Sequence, residues 1–152
     1  MSTYDDPDWH LPDPHSQGEF YADVPLKRFL AFLVDTVLLL AITVVIVIFT
    51  LGLAVIFLYP VWWLLNFAYR SVTLANSSAT PGMRLFAIEF RNARGQRLDQ
   101  AEALQHTLGF MLSITFFPVQ LVSMVLMASS PRGQGLSDHV LGTVALNRRA
   151  AG

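Results

Sequence analysis

The chain has 152 residues, of which 53% are hydrophobic and 14% are charged, and its formal net charge is −1. Soluble domains carry about 25% charged residues, so the composition excludes a disordered chain and is untypical of a cytosolic enzyme. Near-neutral charge gives no general case for nucleic acid as a partner. The lack of cysteine excludes disulfides and thiolate chemistry. This composition favours an integral membrane protein as the broad class.

Residues 1–24 are predicted to form an acidic, flexible N-terminal tail. The segment holds six carboxylates and three prolines and has little to bury. Trp9 and Leu11 are candidates for a short docking motif, although ordinary residues of a flexible tail are the simpler interpretation. His10 and His15 lie among the carboxylates without the spacing of metal ligands. We therefore expect no metal site and no cofactor.

Residues 29–69 contain Asp35 as their single Asp, Glu, Lys or Arg. A bilayer core needs about 20 apolar residues as helix, so this run predicts two spans joined by a tight turn near Gly52. We place the helices at about 25–49 and 52–69, as a transmembrane hairpin. Pro60 is expected to kink the second helix or to be accommodated by a neighbour. Tyr69 is expected at an interfacial or partner-facing position.

Basic residues predict how this hairpin is oriented. Lys27 and Arg28 flank the first helix, and a basic loop follows the second one, whereas the turn near Gly52 has no charge. Because Lys and Arg favour the cytoplasmic side, both outer ends of the hairpin are expected there. The basic cytoplasmic loop consists of Arg84, Arg91, Arg94 and Arg97.

A small cytoplasmic β element is predicted from period-two alternation. Strands are expected at about 84–90 and 96–98, joined by a turn, with a third at about 143–147. Residues 79–84 look faintly like a phosphate loop, but a turn that starts a strand is the simpler interpretation. Three strands together would be stable where a lone hairpin would not.

The third apolar segment leaves two alternatives open. Asp99 and Glu102 form a capping-box-like start for a helix over about 100–128. As a single span, this helix would carry the C-terminus to the far side; as a kinked re-entrant hairpin bent near Phe117–Pro118, it would return the C-terminus to the cytoplasm. Positive charges and strand pairing favour the hairpin, and length favours the span. Residues 148–152 are expected to form a short tail.

Asp35 is the charge whose position most needs a reason, since an acidic group in the bilayer is costly. Hairpin geometry places it close to Asn66 and Arg70, which with Arg28 would form a polar membrane cluster. Such a cluster could fasten helices together or serve as a proton or cation site. We favour the fastening role, because two or three helices cannot enclose a pore alone.

The remaining polar residues have ordinary interpretations. Asp138 fits a helix N-cap or a turn, and His106 fits an interface anchor. The common nucleotide-binding, metalloprotease and hydrolase motifs are absent from the sequence. We therefore predict no catalytic residue and no enzyme activity.

Arg28, Asp35 and Asp138, in this order and with this hydropathy, resemble the RDD family of small bacterial membrane proteins. The likeness covers residues 25–147, and the stretch 78–85 is similar to the family's glycine- and threonine-containing segment. There are departures at four positions, which weaken any anion-binding role of that loop: Ser78, Met83, Gln105 and His139. The resemblance implies a membrane domain whose activity is mostly unknown, with suspected transport of unknown ligands and occasional links to cation/proton exchange.

These observations together predict a multi-pass protein of the bacterial inner membrane with a cytoplasmic N-terminus. The expected role is an accessory, assembly or scaffold component of a larger membrane complex. The alternative is a subunit of an oligomeric ion or small-ligand transporter that uses Asp35. Expected partners are the lipid bilayer and a membrane protein or further copies of the chain, without nucleic acid.

Overall fold

The computed structural model describes residues 11–148, so predictions that concern Trp9, His10 and residues 149–152 lie outside the described residues. The described chain is mostly helical and ends in a short strand. Its elements in order are α1 (Val24–Phe49), α2 (Leu58–Ser77), α3 (Pro81–Leu85), β1 (Ile88–Arg91), α4 (Gln100–Thr115), α5 (Phe117–Ser129), α6 (Leu136–Leu141) and β2 (Val144–Asn147).

One helical segment of the described chain, Gly18–Phe49, is by itself long and apolar enough to cross a membrane. The α1 part has 26 residues and is therefore about 39 Å long at 1.5 Å per residue. Only 17% of its most apolar stretch is buried inside the protein. A surface this apolar and this exposed suits a lipid environment.

Helix α2 differs from the helix predicted at 52–69. Leu51 and Gly52 both have positive φ angles, and a short 3₁₀ turn over Leu53–Val55 delays the start of α2 to Leu58. Pro60 then lies in the first turn, where a helix needs no N–H from it, so no kink follows. The helix continues to Ser77 because residues beyond the apolar run, including Leu74, are buried against the rest of the protein.

The third apolar segment is a helix–break–helix unit. Helices α4 and α5 meet at Phe116 with a bend of 117°. Asp99 and Glu102 form the predicted capping box at the start of α4, and Pro118 occupies the first turn of α5. The segment therefore forms two helices rather than one helix over 100–128, with the bend at the position that the hairpin alternative expected.

The sheet has two strands in the described chain, where the sequence predicted three. Strand β1 pairs with β2 in antiparallel register from Ile88↔Asn147 to Arg91↔Val144, which confirms the pairing of the loop with the C-terminal strand. The strand expected at 96–98 is replaced by a loop. Its backbone is held by the Asn92 side chain, which accepts hydrogen bonds from the N–H groups of Arg94 and Gln96.

The strand expected at 84–90 starts late, because its first residues belong to α3. The Thr80 hydroxyl caps α3 by accepting a hydrogen bond from the Met83 N–H, and Pro81 follows at the first helical position. Thr before Pro is a regular helix-start signal. The prediction that residues 79–84 form a turn before a strand did not take this signal into account.

Residues 11–24 differ from the flexible tail predicted for residues 1–24. Leu11 and Tyr21 are buried and form a small cluster with Val144 and Leu146 of β2. The Tyr21 hydroxyl donates to the Pro12 carbonyl at 2.7 Å. The main core lies beside this cluster and joins the ends of α1 and α2 to α3, β1 and the start of α4.

Candidate functional site

The carboxylate of Asp138 is the centre of a buried hub that joins three helices. It lies in the first turn of α6 and is fully buried. Oδ2 accepts hydrogen bonds from Arg28 Nη1 at 2.5 Å and from the Gly135 N–H at 3.0 Å. Oδ1 accepts one from the Thr143 hydroxyl at 2.7 Å and lies 2.9 Å from His106 Nε2. Four neighbours thus use the four lone-pair positions of one carboxylate.

Charge explains why Asp138 can remain ionised in the interior. Burial alone would raise the pKa of this carboxyl, but the Arg28 guanidinium and the His106 ring hold the pKa below its ordinary value. The Arg28 side chain is 14% exposed, so the ion pair is largely shielded from water. Removing either partner of such a pair would leave an uncompensated buried charge.

Asp35 is the centre of a second buried hub, built from uncharged donors. Its Oδ1 accepts hydrogen bonds from the Tyr69 hydroxyl at 2.7 Å and from the Gly82 N–H at 2.8 Å. Its Oδ2 accepts one from the Thr80 hydroxyl at 2.5 Å. Only 1% of Asp35 is exposed. The hub ties the middle of α1 to α2 and to the first turn of α3.

Glycine at position 82 is required by this second hub. A Cβ atom built on Gly82 would lie 2.8 Å from Asp35 Oδ1 and would also collide with the backbone carbonyl of Ala31. The absent side chain therefore allows α3 to approach α1 closely enough for its N–H to reach the carboxylate.

The predicted polar membrane cluster does not exist as one network. Arg28 is bonded to Asp138 and not to Asp35, and Asn66 donates to the Trp62 carbonyl of its own helix. Arg70 stacks on the Phe110 ring, with the guanidinium carbon 3.8 Å from the ring centroid. The prediction failed because it paired α1 with α2 alone, whereas α3, α4 and α6 supply most of the partners.

Arg70 has an unusual environment for a buried cation. It is only 9% exposed, and its Nε is a buried donor without a partner. Within residues 11–148 the guanidinium has no hydrogen-bond acceptor, although it lies within electrostatic range of Asp35 and Arg28. Buried polar groups of this kind are rare.

Arg70 lines a cavity of about 520 Å³ that lies between α1, α2, α4 and α5. Arg28, Asp35, His106 and Asp138 also border the cavity, so both hubs open onto it. The other walls are mainly apolar and aromatic side chains of the helices. Small-molecule sites commonly have about 300–1,000 Å³ of space, apolar walls and a few convergent polar groups.

The predicted basic loop gathers around a residue that the sequence analysis did not single out. Glu89 on β1 is buried and pairs with Arg91, and its Oε2 lies 3.4 Å from Arg148 and 3.9 Å from Arg97. Arg94 approaches Glu102 at 3.8 Å. Arg84 is exposed at the end of α3. The basic loop therefore forms an ion-pair network in which arginines outnumber carboxylates.

Sequence reasoning missed six residues of the two hubs, and signals existed for two of them. Counting outward from the hairpin turn placed Asp35 level with residue 67, which is close to Tyr69. His106 lies on the buried face of α4 with Ala103 and Met111, at helical spacing. The missed residues are Tyr69, Thr80, Gly82, His106, Gly135 and Thr143.

Residues 11–148 contain no group of three or more His, Asp or Glu side chains able to hold a metal ion. The ionisable side chains that line the cavity are instead two arginines, two aspartates and one histidine. Such groups can bind ions and polar headgroups through charge and hydrogen bonds.

A long apolar helix, a bent helical pair and two buried carboxylate hubs define a small helical membrane protein. The chain belongs to the RDD family, whose family model matches residues 23–142. The match contains all three residues that carry the resemblance, Arg28, Asp35 and Asp138. No curated protein and no solved structure shows a significant match to the chain.

Proposed function

We propose that the protein is an accessory, assembly or scaffold component of a larger membrane complex and not an enzyme. The observation that carries the proposal is that both oxygens of each buried carboxylate accept hydrogen bonds from partners within the chain. Interhelical polar contacts of this kind hold helix bundles together. The residues that resemble the family signature thus serve the architecture of the domain.

The environment of Asp35 argues against a role as an ion carrier in this conformation. An ion-coupling carboxylate must exchange its proton or cation with water. Asp35 is 1% exposed and accepts three hydrogen bonds from Tyr69, Thr80 and Gly82. Release of an ion would require these three contacts to break together.

The outer surface of the helices supports association with lipid and with another membrane protein or a second copy. Val37, Ile48 and Phe49 of α1 are each at least 65% exposed, as are Leu51 and Ile56 of the following connection. Soluble proteins rarely expose a continuous apolar surface of this extent. We therefore expect a multi-pass protein in the bacterial inner membrane.

We further propose that both chain termini lie on the cytoplasmic side. The start of α1 is joined to the C-terminal strand by Lys27, whose Nζ donates to Asn147 Oδ1 at 2.6 Å. The arginine network around Glu89 lies in the same sheet. The connection from residue 51 to 57 has no charge, as expected for a periplasmic turn between α1 and α2.

Reporter fusions test this orientation directly. A fluorescent protein at the C-terminus should fluoresce, whereas alkaline phosphatase at the same position should stay inactive. A phosphatase inserted after Gly52 serves as the matched control and should be active. The reverse pattern at the C-terminus would show that the bent α4–α5 pair crosses the membrane once.

Purification of the tagged full chain in mild detergent tests the accessory role. We expect a partner membrane protein to be recovered in a fixed ratio, and an exposed charge change such as Arg84→Gln to leave that ratio intact. Recovery of the chain alone in native membranes after chemical cross-linking would contradict the proposal.

A transporter subunit is the second candidate, because Asp35, Arg70 and His106 border one cavity between the helices. Proteoliposomes that contain the purified chain would then show Na⁺ or H⁺ flux. The flux should disappear in Asp35→Asn while it persists in Asp23→Asn, which alters an exposed aspartate. Absence of flux in the wild type would remove this candidate for the chain on its own.

A further inference from the structure

The inference concerns Arg70, the one charged residue of the cavity wall that has no hydrogen-bond or ion-pair partner among the described residues. Arg28, the other arginine of the wall, has the Asp138 carboxylate and the Gly133 carbonyl as acceptors. Arg70 has the Phe110 ring beneath it and no acceptor. A guanidinium offers five N–H donors in one plane, and stacking on a ring leaves the edges of that plane available.

Neighbouring carboxylates do not supply the missing acceptor. Both oxygens of Asp35 are engaged by Tyr69, Thr80 and Gly82, and Asp138 is engaged by its own four neighbours. Leaving a charged donor buried without a partner is costly. The fold keeps Arg70 nine-tenths buried nonetheless, which indicates that its partner comes from outside residues 11–148.

The shape of the cavity indicates the structure of the rest of the partner, apart from the charged group that pairs with Arg70. From Arg70 the space continues along apolar side chains of α1, α4 and α5, among them Phe32, Ile114, Phe117 and Met124. Ile114, Phe117 and Met124 are also partly exposed on the outer surface of the protein, where the bilayer lies in the proposed arrangement. A volume of about 520 Å³ suits a molecule of drug-like size.

We infer that the cavity binds a single-chain amphiphile with an anionic headgroup, a carboxylate or a phosphate monoester, whose oxygens accept hydrogen bonds from Arg70. The apolar chain lies along the aromatic and aliphatic walls toward the α4–α5 bend. Arginine is well matched to this headgroup because its planar donors pair with two oxygens at once. The site is independent of whether the protein also acts as an accessory subunit.

A direct binding measurement tests the inference. The full chain is placed in nanodiscs of zwitterionic lipid and titrated with radiolabelled oleate, and the signal of empty nanodiscs is subtracted. We expect saturable binding. Unlabelled monooleoyl phosphate should displace the label, whereas oleyl alcohol, which has the same chain without the charge, should not. Inorganic phosphate should also fail to displace it, because the chain contributes much of the affinity.

Arg70→Gln removes the charge at the proposed headgroup position and keeps a polar side chain. We expect about tenfold to hundredfold weaker oleate binding, the usual worth of hydrogen bonds to a charged group. Arg84→Gln is the matched control, since Arg84 is exposed and does not line the cavity. Its oleate affinity should equal that of the wild type.

A second variant keeps the test decisive if Arg70→Gln does not fold. Met124→Trp narrows the apolar part of the cavity from α5, where Met124 is 45% exposed and tolerant of change. It should weaken oleate binding without touching Arg70. Five results would each overturn the inference: no saturable binding to the wild type, displacement of the label by oleyl alcohol, displacement by inorganic phosphate alone, unchanged affinity in a folded Arg70→Gln protein, or unchanged affinity in Met124→Trp.

Discussion

Asp35 and Asp138 are equally buried, but their carboxylates are compensated in different ways. Asp138 is paired with a guanidinium and lies beside a histidine, in a short helix outside the apolar spans. Asp35 lies within the long apolar helix and accepts hydrogen bonds only from two hydroxyl groups and one backbone N–H. Compensation of the Asp138 charge depends on the opposite charge of Arg28, whereas compensation of the Asp35 charge depends on the close approach of the α3 backbone to α1.

The two carboxylates indicate where the domain places charged polar interactions and where it places uncharged ones. The ion pair lies where the chain ends meet at the sheet, and it joins residues 110 positions apart in sequence. The uncharged donors lie deeper along α1, where a second charge would add to the cost of burial. Both hubs border the same cavity, so a change at either one should alter the packing around it.

The largest effect is expected from Asp138→Ala. The change removes the acceptor of four buried neighbours and leaves the Arg28 charge uncompensated, so the free energy of unfolding should fall by about 3–5 kcal/mol. Reversible unfolding in mixed detergent micelles measures this. Asp23→Asn is the control, because Asp23 is exposed, its side chain caps no helix, and asparagine also tolerates its positive φ angle. It should change the free energy of unfolding by less than about 0.5 kcal/mol. A similarly small effect at Asp138 would show that the ion pair is not stabilising.

Double-mutant cycles separate the two hubs more sharply than single changes. Arg28→Ala and Asp138→Ala share a contact, so their effects on the free energy of unfolding should deviate from additivity by about 1–3 kcal/mol. Arg28→Ala and Asp35→Asn belong to different hubs and should be additive within about 0.5 kcal/mol. Strong coupling in the second cycle would restore the single polar cluster that the sequence suggested.

Gly82→Ala tests the claim that the Asp35 hub depends on close approach. The added methyl would overlap Asp35 Oδ1 and the Ala31 carbonyl, and overpacking of this kind costs about 1–3 kcal/mol. Gly18→Ala is the matched control, because nothing lies within 4 Å of its Cβ position. If both glycine variants unfold at the same detergent concentration as the wild type, α3 can move away from α1 without loss.

Much of the helical framework could be predicted from apolar runs and helix-start signals. The capping box at Asp99 and the bend near Pro118 follow from local rules, and both occur in the structure. The C-terminal strand was also paired correctly with the loop strand. These features depend on residues that are close in sequence or on simple alternation.

The hubs could not be predicted in the same way, because their partners are distant in sequence. Asp138 looked like a helix cap, and it does accept a bond from the Gly135 N–H, but its pairing with Arg28 depends on how six helices assemble. Arg70 looked like a partner of Asp35 because the count from the turn brought them level. The assembled helices instead give Asp35 three other donors and place Phe110 under Arg70.

The smallest effect is expected from protonation of Asp138 at low pH. Its folded pKa is lowered, so the stabilising contribution is fully present above the unfolded value of about 3.9 and is lost as pH falls toward the folded pKa. The difference in unfolding free energy between wild type and Asp138→Ala should be smaller by about 1 kcal/mol at pH 3 than at pH 5. If this difference in unfolding free energy is the same at pH 3 as at pH 5, the Asp138 carboxyl has the same pKa in the folded and the unfolded protein. Arg28 would then hold helices together by packing on Phe90, and the two hubs would differ less than their geometry indicates.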